Sequence, residues 1–239
     1  MMDDQVRRQL AENWRAVEIE VAGAAEACGR CPSEITIVGV TKYVDADRTW
    51  ALVDAGCTHL GESRPQSLWQ KAESSGRQVD VTWHLIGHLQ TNKVRRLLRH
   101  HPIIHSVDSQ RLLQCIADES AARELVTRVL LEINISGDEA KTGFAPEEAE
   151  ALLEQLPESG IELLGLMAMA GWGTDRDEAR RQFEATRELR DQWSQQYQLN
   201  LPELSMGMSG DFLEAIAAGA SMVRIGSRLF EGVEPGDGS

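Results

Sequence analysis

Positive charge is scarce in this sequence: 24 Lys and Arg stand against 38 Asp and Glu, a formal net charge of −14 over 239 residues. That balance argues against nucleic acid and against an anionic membrane surface as partners, since both need a basic face. It says little about a small anion held in a local pocket. No apolar run approaches the roughly 20 residues that cross a membrane. The acidic start at Asp3 and Asp4, followed by Arg7 and Arg8 without an apolar segment, gives no reason to expect a secretory signal. Cysteine is sparse too. Four scattered thiols do not make a disulfide framework, so a reducing, cytoplasmic setting is expected. Cys28-Gly29-Arg30-Cys31 has CxxC spacing, but it lacks a second metal-binding pair and precedes the first strand, so neither redox nor zinc use is expected. Tyrosine occurs only at Tyr43 and Tyr197, which leaves few phenols for acid–base work.

What remains is ordinary globular material, 42% apolar and 26% charged, with enough apolar mass for a core. The stretch Ile35-Thr36-Ile37-Val38-Gly39-Val40-Thr41-Lys42 reads as a strand buried on both faces that runs straight into a lysine. Lysine is seldom buried without a partner. Lys42 therefore either reaches into water at the strand end or sits desolvated at a rim, as an amine nucleophile able to form a Schiff base.

Around this stretch the chain alternates. A leading helix over 3–28 carries Leu10, Trp14, Val17, Val21 and Ala24 near helical spacing. Further strands are expected over 58–62, 81–87, 103–107, 128–134, 161–169, 204–206 and 222–226. Helices are expected over 45–55, 65–75, from 92, from 109 with Asp108 or Ser109 as cap, from Pro146, over 177–196 and over 210–218. Strand and helix thus alternate eight times with short connections, which implies parallel strands with helical crossovers. Neither a Rossmann glycine pattern nor a P-loop follows the first strand. A single α/β domain, a (β/α)8 TIM barrel, is expected over 33–230, with the 1–32 helix packed on it and a loose tail over 231–239.

In such barrels the active site lies at the C-terminal strand ends, and phosphates bind the loops after strands seven and eight. Those ends carry Lys42, His84, Asn134, Met167, Met169 and Arg224. The seventh loop, Ser205-Met206-Gly207-Met208-Ser209-Gly210-Asp211, and the eighth, Arg224-Ile225-Gly226-Ser227, each put glycine and a hydroxyl before a helix, where free N–H groups favour an anion. A phosphate cradle facing an amine suits a phosphorylated aldehyde or ketone, either pyridoxal phosphate or a sugar phosphate in a Schiff-base aldolase. Arg224 separates the two. A permanent cation beside a pyridine nitrogen would keep that nitrogen unprotonated and weaken the cofactor as an electron sink, whereas a sugar phosphate has no such nitrogen.

Val40-Thr41-Lys42, Gly61-Glu62-Ser63-Arg64, the run Trp83 through Lys93, Asn134-Ile135-Ser136 with Lys141-Thr142-Gly143-Phe144, Gly165-Leu166-Met167 and the two loops above occur in order over nearly the whole chain. With them the sequence resembles the pyridoxal phosphate homeostasis protein family. The resemblance implies the barrel of the alanine racemase N-terminal domain, the fold-type III arrangement for pyridoxal 5′-phosphate. It implies a Schiff base on Lys42, phosphate binding by Ser209, Gly226 and Ser227, and Arg224 facing the pyridine nitrogen. It also implies a cytoplasmic carrier or buffer of the cofactor without an established reaction of its own, with pyridoxal-phosphate-dependent enzymes as possible recipients. Two departures stand out: Ser63 replaces the family's usual asparagine, and Tyr43-Val44-Asp45 replaces a Thr-x-Pro after the lysine.

A racemase needs a second base, which in alanine racemases comes from a tyrosine of a further domain across a dimer. No such domain is expected here, so a monomeric carrier is favoured over a racemase-like enzyme. Tyr43 and His84 are the remaining acid–base candidates, His84 equally as a pocket-lining hydrogen-bonding group. Lys141 sits in a rim loop as a candidate gate or second contact. Met167, Met169, Met206 and Met208 are candidate cofactor contacts that as core fillers need no function. His100, His101 and His105 fall near the start of strand four, expected at the opposite end of the barrel, so no metal site is expected.

Overall fold

The computed structural model describes residues 3–74, 76, 80–138, 142–171 and 173–234. The first half of the chain runs α1 (Asp4–Ala27), β1 (Thr36–Val40), α2 (Ala46–Asp54), β2 (His59–Glu62), α3 (Pro65–Ser74), β3 (Thr82–Leu85), α4 (Thr91–Leu97) and β4 (Ile103–Val107). It continues through α5 (Gln110–Ala121), β5 (Thr127–Ile133), α6 (Pro146–Leu153) and β6 (Ile161–Ala168). α7 (Arg176–Gln196), β7 (Glu203–Met208), α8 (Phe212–Ala217), β8 (Met222–Ile225) and a 3₁₀ turn (Ser227–Phe230) follow. All eight strands are parallel and close in sequence order. β8 lies against β1 from Thr36↔Met222 to Gly39↔Ile225. The alternation read from the sequence is therefore a closed (β/α)8 barrel.

α1 starts where the Asp3 carboxylate accepts the Gln5 N–H, an N-cap. Its buried face is Leu10, Trp14, Val17, Val21 and Ala25, repeating every three or four residues as one side of a helix must. Asn13 ties it to the end of the barrel by donating to the carbonyls of Leu229 and Glu231. Ser109, and not Asp108, caps α5, accepting from Leu112 N–H. On α7, Phe183 and Trp193 are buried as expected, while Leu189 is only half-buried.

Two boundaries near the last loops differ from the sequence reading. β7 runs on to Met208, two residues past the expected end. Between Ser205↔Met222 and Met208↔Arg224 it spends one residue more than β8, a bulge of the kind that re-aims side chains. Gly207 makes this possible: its φ is +84°, and a Cβ there would come within 2.6 Å of the Ala215 Cβ. The expected helix over 210–218 starts only at Phe212, because Asp211 is used first in a turn, its carboxylate accepting the Met208 N–H at 2.6 Å.

The main core lies between sheet and helices. Inside the barrel an apolar plug of Ile103, Leu130 and Met167 shares the space with polar side chains: His84, His105, Ser205 and Arg224 are all buried. Barrel interiors are usually filled by branched apolar residues, so this polar file needs an explanation. His105 corrects the sequence reading, since it lies in the middle of β4 and points inward instead of marking the barrel's far end.

Candidate active site

Alternation along a strand sends every second side chain inward, and at the C-terminal mouth these positions meet the loops. Val40, Lys42, Tyr43, Ser63, Ile86, Met169, Met208, Ser209, Gly210, Arg224, Gly226 and Ser227 line a cavity of about 290 Å³ there. Lys42 thus faces the loops after β7 and β8 across one pocket. Its amine is exposed, and Nζ rests 4.8 Å from the centre of the Tyr43 ring. Of the two settings that the strand pattern left open, Lys42 takes the exposed one at the rim of the pocket, because the chain turns into solvent directly after Thr41. Tyr43 is 70% exposed, so it forms the outer lip and not the wall.

The residue before Lys42 is held firmly. Thr41 Oγ1 donates to Glu62 Oε1 at 2.6 Å, Lys71 Nζ donates to the same oxygen at 2.5 Å, and Lys71 Nζ also donates to the Thr41 carbonyl at 2.7 Å. Thr41 and Glu62 are fully buried and Lys71 is 7% exposed. Glu62 Oε2 has no hydrogen-bond partner among the described residues. The sequence reading missed this set. Its signal was a polar Thr41 and Glu62 at the ends of neighbouring strands, with Lys71 on the helix that follows.

On the far wall, Ser209 Oγ accepts the Gly226 N–H at 3.1 Å and joins the seventh loop to the eighth. The amides of Ser227 and Arg228 precede the first bond of the 3₁₀ turn, Leu229 N–H to Gly226 carbonyl, so they remain available to an anion. Ser63 reaches the pocket because Gly87 lets the loop after β3 close on it. A Cβ at Gly87 would lie 2.4 Å from the Ser63 carbonyl oxygen.

Arg224 forms the floor. Nη1 donates to both the carbonyl and Oγ of Ser205 at 2.7 Å, and Nη2 donates to the Ala168 carbonyl at 3.0 Å. Burial brings its pKa down to about 10, with Asp211 and Glu132 acting the other way, and it stays protonated at neutral pH.

Five of the sequence-derived site residues fall outside the pocket lining, Met206 among them, buried in the main core. β3 ends at Leu85, so Ile86 reaches the pocket and His84 lies one inward position below it, fully buried. There it bonds to His59 at 2.9 Å and to His105 at 2.8 Å. Ser205 is buried under Arg224. Met167 belongs to the apolar plug, leaving Met169 to line the pocket. Asn134 is engaged in its own loop, donating to the Asp138 carbonyl at 2.8 Å and accepting from Ser136 Oγ at 3.0 Å. Lys141 lies outside the described residues. A larger cleft of about 430 Å³ opens near Asp108, Ser109, Phe144 and Glu148, but among the described residues its lining carries no cation for a phosphate.

The sequence family described as alanine racemase, N-terminal domain, matches residues 10–234. A pyridoxal phosphate homeostasis protein of Aquifex aeolicus is 38% identical over 210 residues, 87% of this chain and 91% of that one. One of Deinococcus radiodurans is 39% identical over 219 residues, 90% of this chain and 99% of that one. Among solved structures, PipY of Synechococcus elongatus, with pyridoxal phosphate bound, superposes with a TM-score of 0.82 at 31% identity, covering 92% of this chain and 99% of that one. Alanine racemase of Clostridium difficile has a TM-score of 0.70 at 16% identity, covering 92% of this chain and 56% of that one, a likeness of fold alone.

Proposed function

The chain belongs to the pyridoxal phosphate homeostasis protein family, and on that premise we propose that it carries pyridoxal 5′-phosphate at the barrel mouth, linked to Lys42 as a Schiff base. The observation that carries this reading is one cavity holding an amine, a hydroxyl-and-glycine cradle and a buried guanidinium. The parts fit the ligand. The Ser209 hydroxyl and the amides of Ser227 and Arg228 would take the phosphate, with Gly226 joining the two loops beneath it through its N–H to Ser209. Val40, Ile86, Met169 and Met208 would wall the ring, and Arg224 would meet the pyridine nitrogen. Bound there, the cofactor supplies an aldehyde carbon to the amine and a ring to accept electrons.

The residues favour holding over turnover. Arg224 stays protonated and would keep the pyridine nitrogen unprotonated, which weakens the ring as an electron sink. Among the described residues the titratable side chains lining the pocket are Lys42, Tyr43 and Arg224. Among these residues there is no imidazole or carboxylate, and Tyr43 is 70% exposed at the lip. An acid–base pair across a substrate carbon therefore lacks an obvious second member. Carriage suits a reducing, cytoplasmic setting, in keeping with four unpaired thiols. Among the described residues no helix is long and apolar enough to cross a membrane.

Borohydride reduction of the protein loaded with pyridoxal phosphate, followed by peptide mass spectrometry, tests this. The added mass is expected on the Lys42 peptide and is expected to vanish in Lys42→Ala. Mass on another lysine would overturn the attachment. Rapid exchange of an amino acid's α-proton into deuterated water would overturn the carrier reading.

A further inference from the structure

Three histidines stand in single file along the inside of the barrel, and the mouth chemistry uses none of them directly. His59 Nδ1 lies 2.9 Å from His84 Nε2, His84 Nδ1 lies 2.8 Å from His105 Nε2, and His105 Nδ1 lies 2.8 Å from Ser205 Oγ. Ser205 Oγ in turn receives Arg224 Nη1–H at 2.7 Å. His84, His105 and Ser205 are fully buried. His59 is half-buried, at a cleft of about 260 Å³ on the opposite mouth beside Trp14, Glu18 and Thr58.

The direction of this file follows from counting protons. Arg224 can only donate, so Ser205 Oγ accepts from it and has its own proton to place. Burial, with the Arg224 charge acting the same way, brings the His105 pKa down to about 3, and burial likewise holds His84 well below its ordinary value. Each ring is therefore neutral, with one N–H. If His105 carries its proton on Nδ1 and donates to Ser205, no acceptor is described for the Ser205 hydroxyl proton. If Nδ1 accepts from Ser205, then His105 Nε2–H donates to His84, His84 Nε2–H donates to His59, and His59 Nε2–H faces the lower mouth. Only that order pairs every buried donor and acceptor of the file, as buried polar groups require.

We propose that His105 and His84, with His59 at the open end, are positioning residues for Arg224: the file takes the Ser205 hydroxyl proton and turns the Ser205 oxygen into a fixed acceptor beneath the guanidinium. The consequence for ligand binding, a guanidinium locked where a pyridine nitrogen would sit, rests on the function proposed above. The hydrogen-bond order itself does not. It also accounts for a polar column in a barrel interior that normally holds branched apolar side chains.

Nitrogen-15 NMR of the histidine-labelled full chain without cofactor reads the order directly. His105 and His84 are expected as Nε2–H tautomers at neutral pH. An Nδ1–H tautomer or an imidazolium at His105 would overturn the proposal, whatever the protein binds. A second arm uses the loaded protein. His105→Leu removes the acceptor, whereas His105→Asn places a carbonyl oxygen near the Nδ1 position. His105→Leu is expected to weaken pyridoxal phosphate binding by roughly tenfold or more and to move the visible absorbance maximum, with His105→Asn recovering most of both. A folded His105→Leu with wild-type affinity and spectrum would overturn the positioning role. If the wild-type protein takes up no pyridoxal phosphate, the function reading fails and the tautomers still decide the file.

Discussion

The buried Lys71–Glu62 pair gives the most discriminating perturbation outside the pocket. Lys71 is 7% exposed and Glu62 fully buried, and among the described residues Lys71 supplies one of the two hydrogen bonds to Glu62 Oε1 while Oε2 has none. Lys71→Met keeps the stem volume but strands a carboxylate in the core with only the Thr41 hydroxyl. Removing one partner of a buried pair costs about 3–5 kcal/mol. For a chain of this size each kcal/mol moves the melting temperature by about 2–4 °C, so a fall of roughly 6–20 °C is expected. Adding Glu62→Gln removes the stranded charge and keeps an acceptor for Thr41, so the double variant should regain more than half of the loss. Calorimetry on both variants is the assay. In a second respect the two should agree: the Thr41 carbonyl loses its Lys71 donor in each, so cofactor retention at Lys42 stays weakened even where stability returns. A single variant that loses less than about 1 kcal/mol, the value of a surface pair, would refute the reasoning.

Two further outcomes are expected. Ser209→Ala removes the acceptor that joins Gly226 N–H to the seventh loop, so at about 1 kcal/mol for a net hydrogen bond the melting temperature should fall by about 2–4 °C; the hydroxyl proposed to hold the phosphate goes with it, at a similar value, so pyridoxal phosphate affinity should fall by roughly fivefold in a fluorescence titration. Burial holds His84 and His105 neutral in the folded chain, with His105 at about 3, whereas the unfolded histidines titrate near 6.5. The unfolded chain thus binds protons that the folded chain does not. The stability these neutral rings contribute is complete above about pH 6.5 and is lost as pH falls towards 3, by up to about 1.4 kcal/mol per pH unit for each. Urea midpoints between pH 7.5 and 5 check this, and His105→Leu should make the decline shallower. A flat profile would mean that the file takes up protons while folded.

Much of the fold was legible because burial imposes period. The apolar positions of α1 and the β-branched run of β1 announce a helix face and a doubly covered strand, and eight such alternations admit few closures. Lys42, Ser209, Arg224, Gly226 and Ser227 could be placed at one mouth from strand ends and glycine–hydroxyl loops alone. His84, Met167 and Ser205 could not be separated from the pocket in the same way. A shift of one inward position decides whether a side chain lines the cavity or lies beneath it, and strand boundaries read from sequence are not that sharp. The bulge in β7, which carries the strand to Met208 and leaves Ser205 under Arg224, has no sequence mark beyond a glycine.

The order of residues by itself determined a parallel barrel, an amine at the tip of its first strand and anion-holding turns after its last two, since each follows from local periodicity and turn chemistry. Only the tertiary structure decided which partners those groups have: the exposed amine beside Tyr43, the Thr41–Glu62–Lys71 clamp behind it, and the histidine file under Arg224. His105 and Ser205 stand 100 residues apart in the chain and 2.8 Å apart in space. Such contacts are fixed by strand register and closure, properties of the whole barrel that no local stretch encodes.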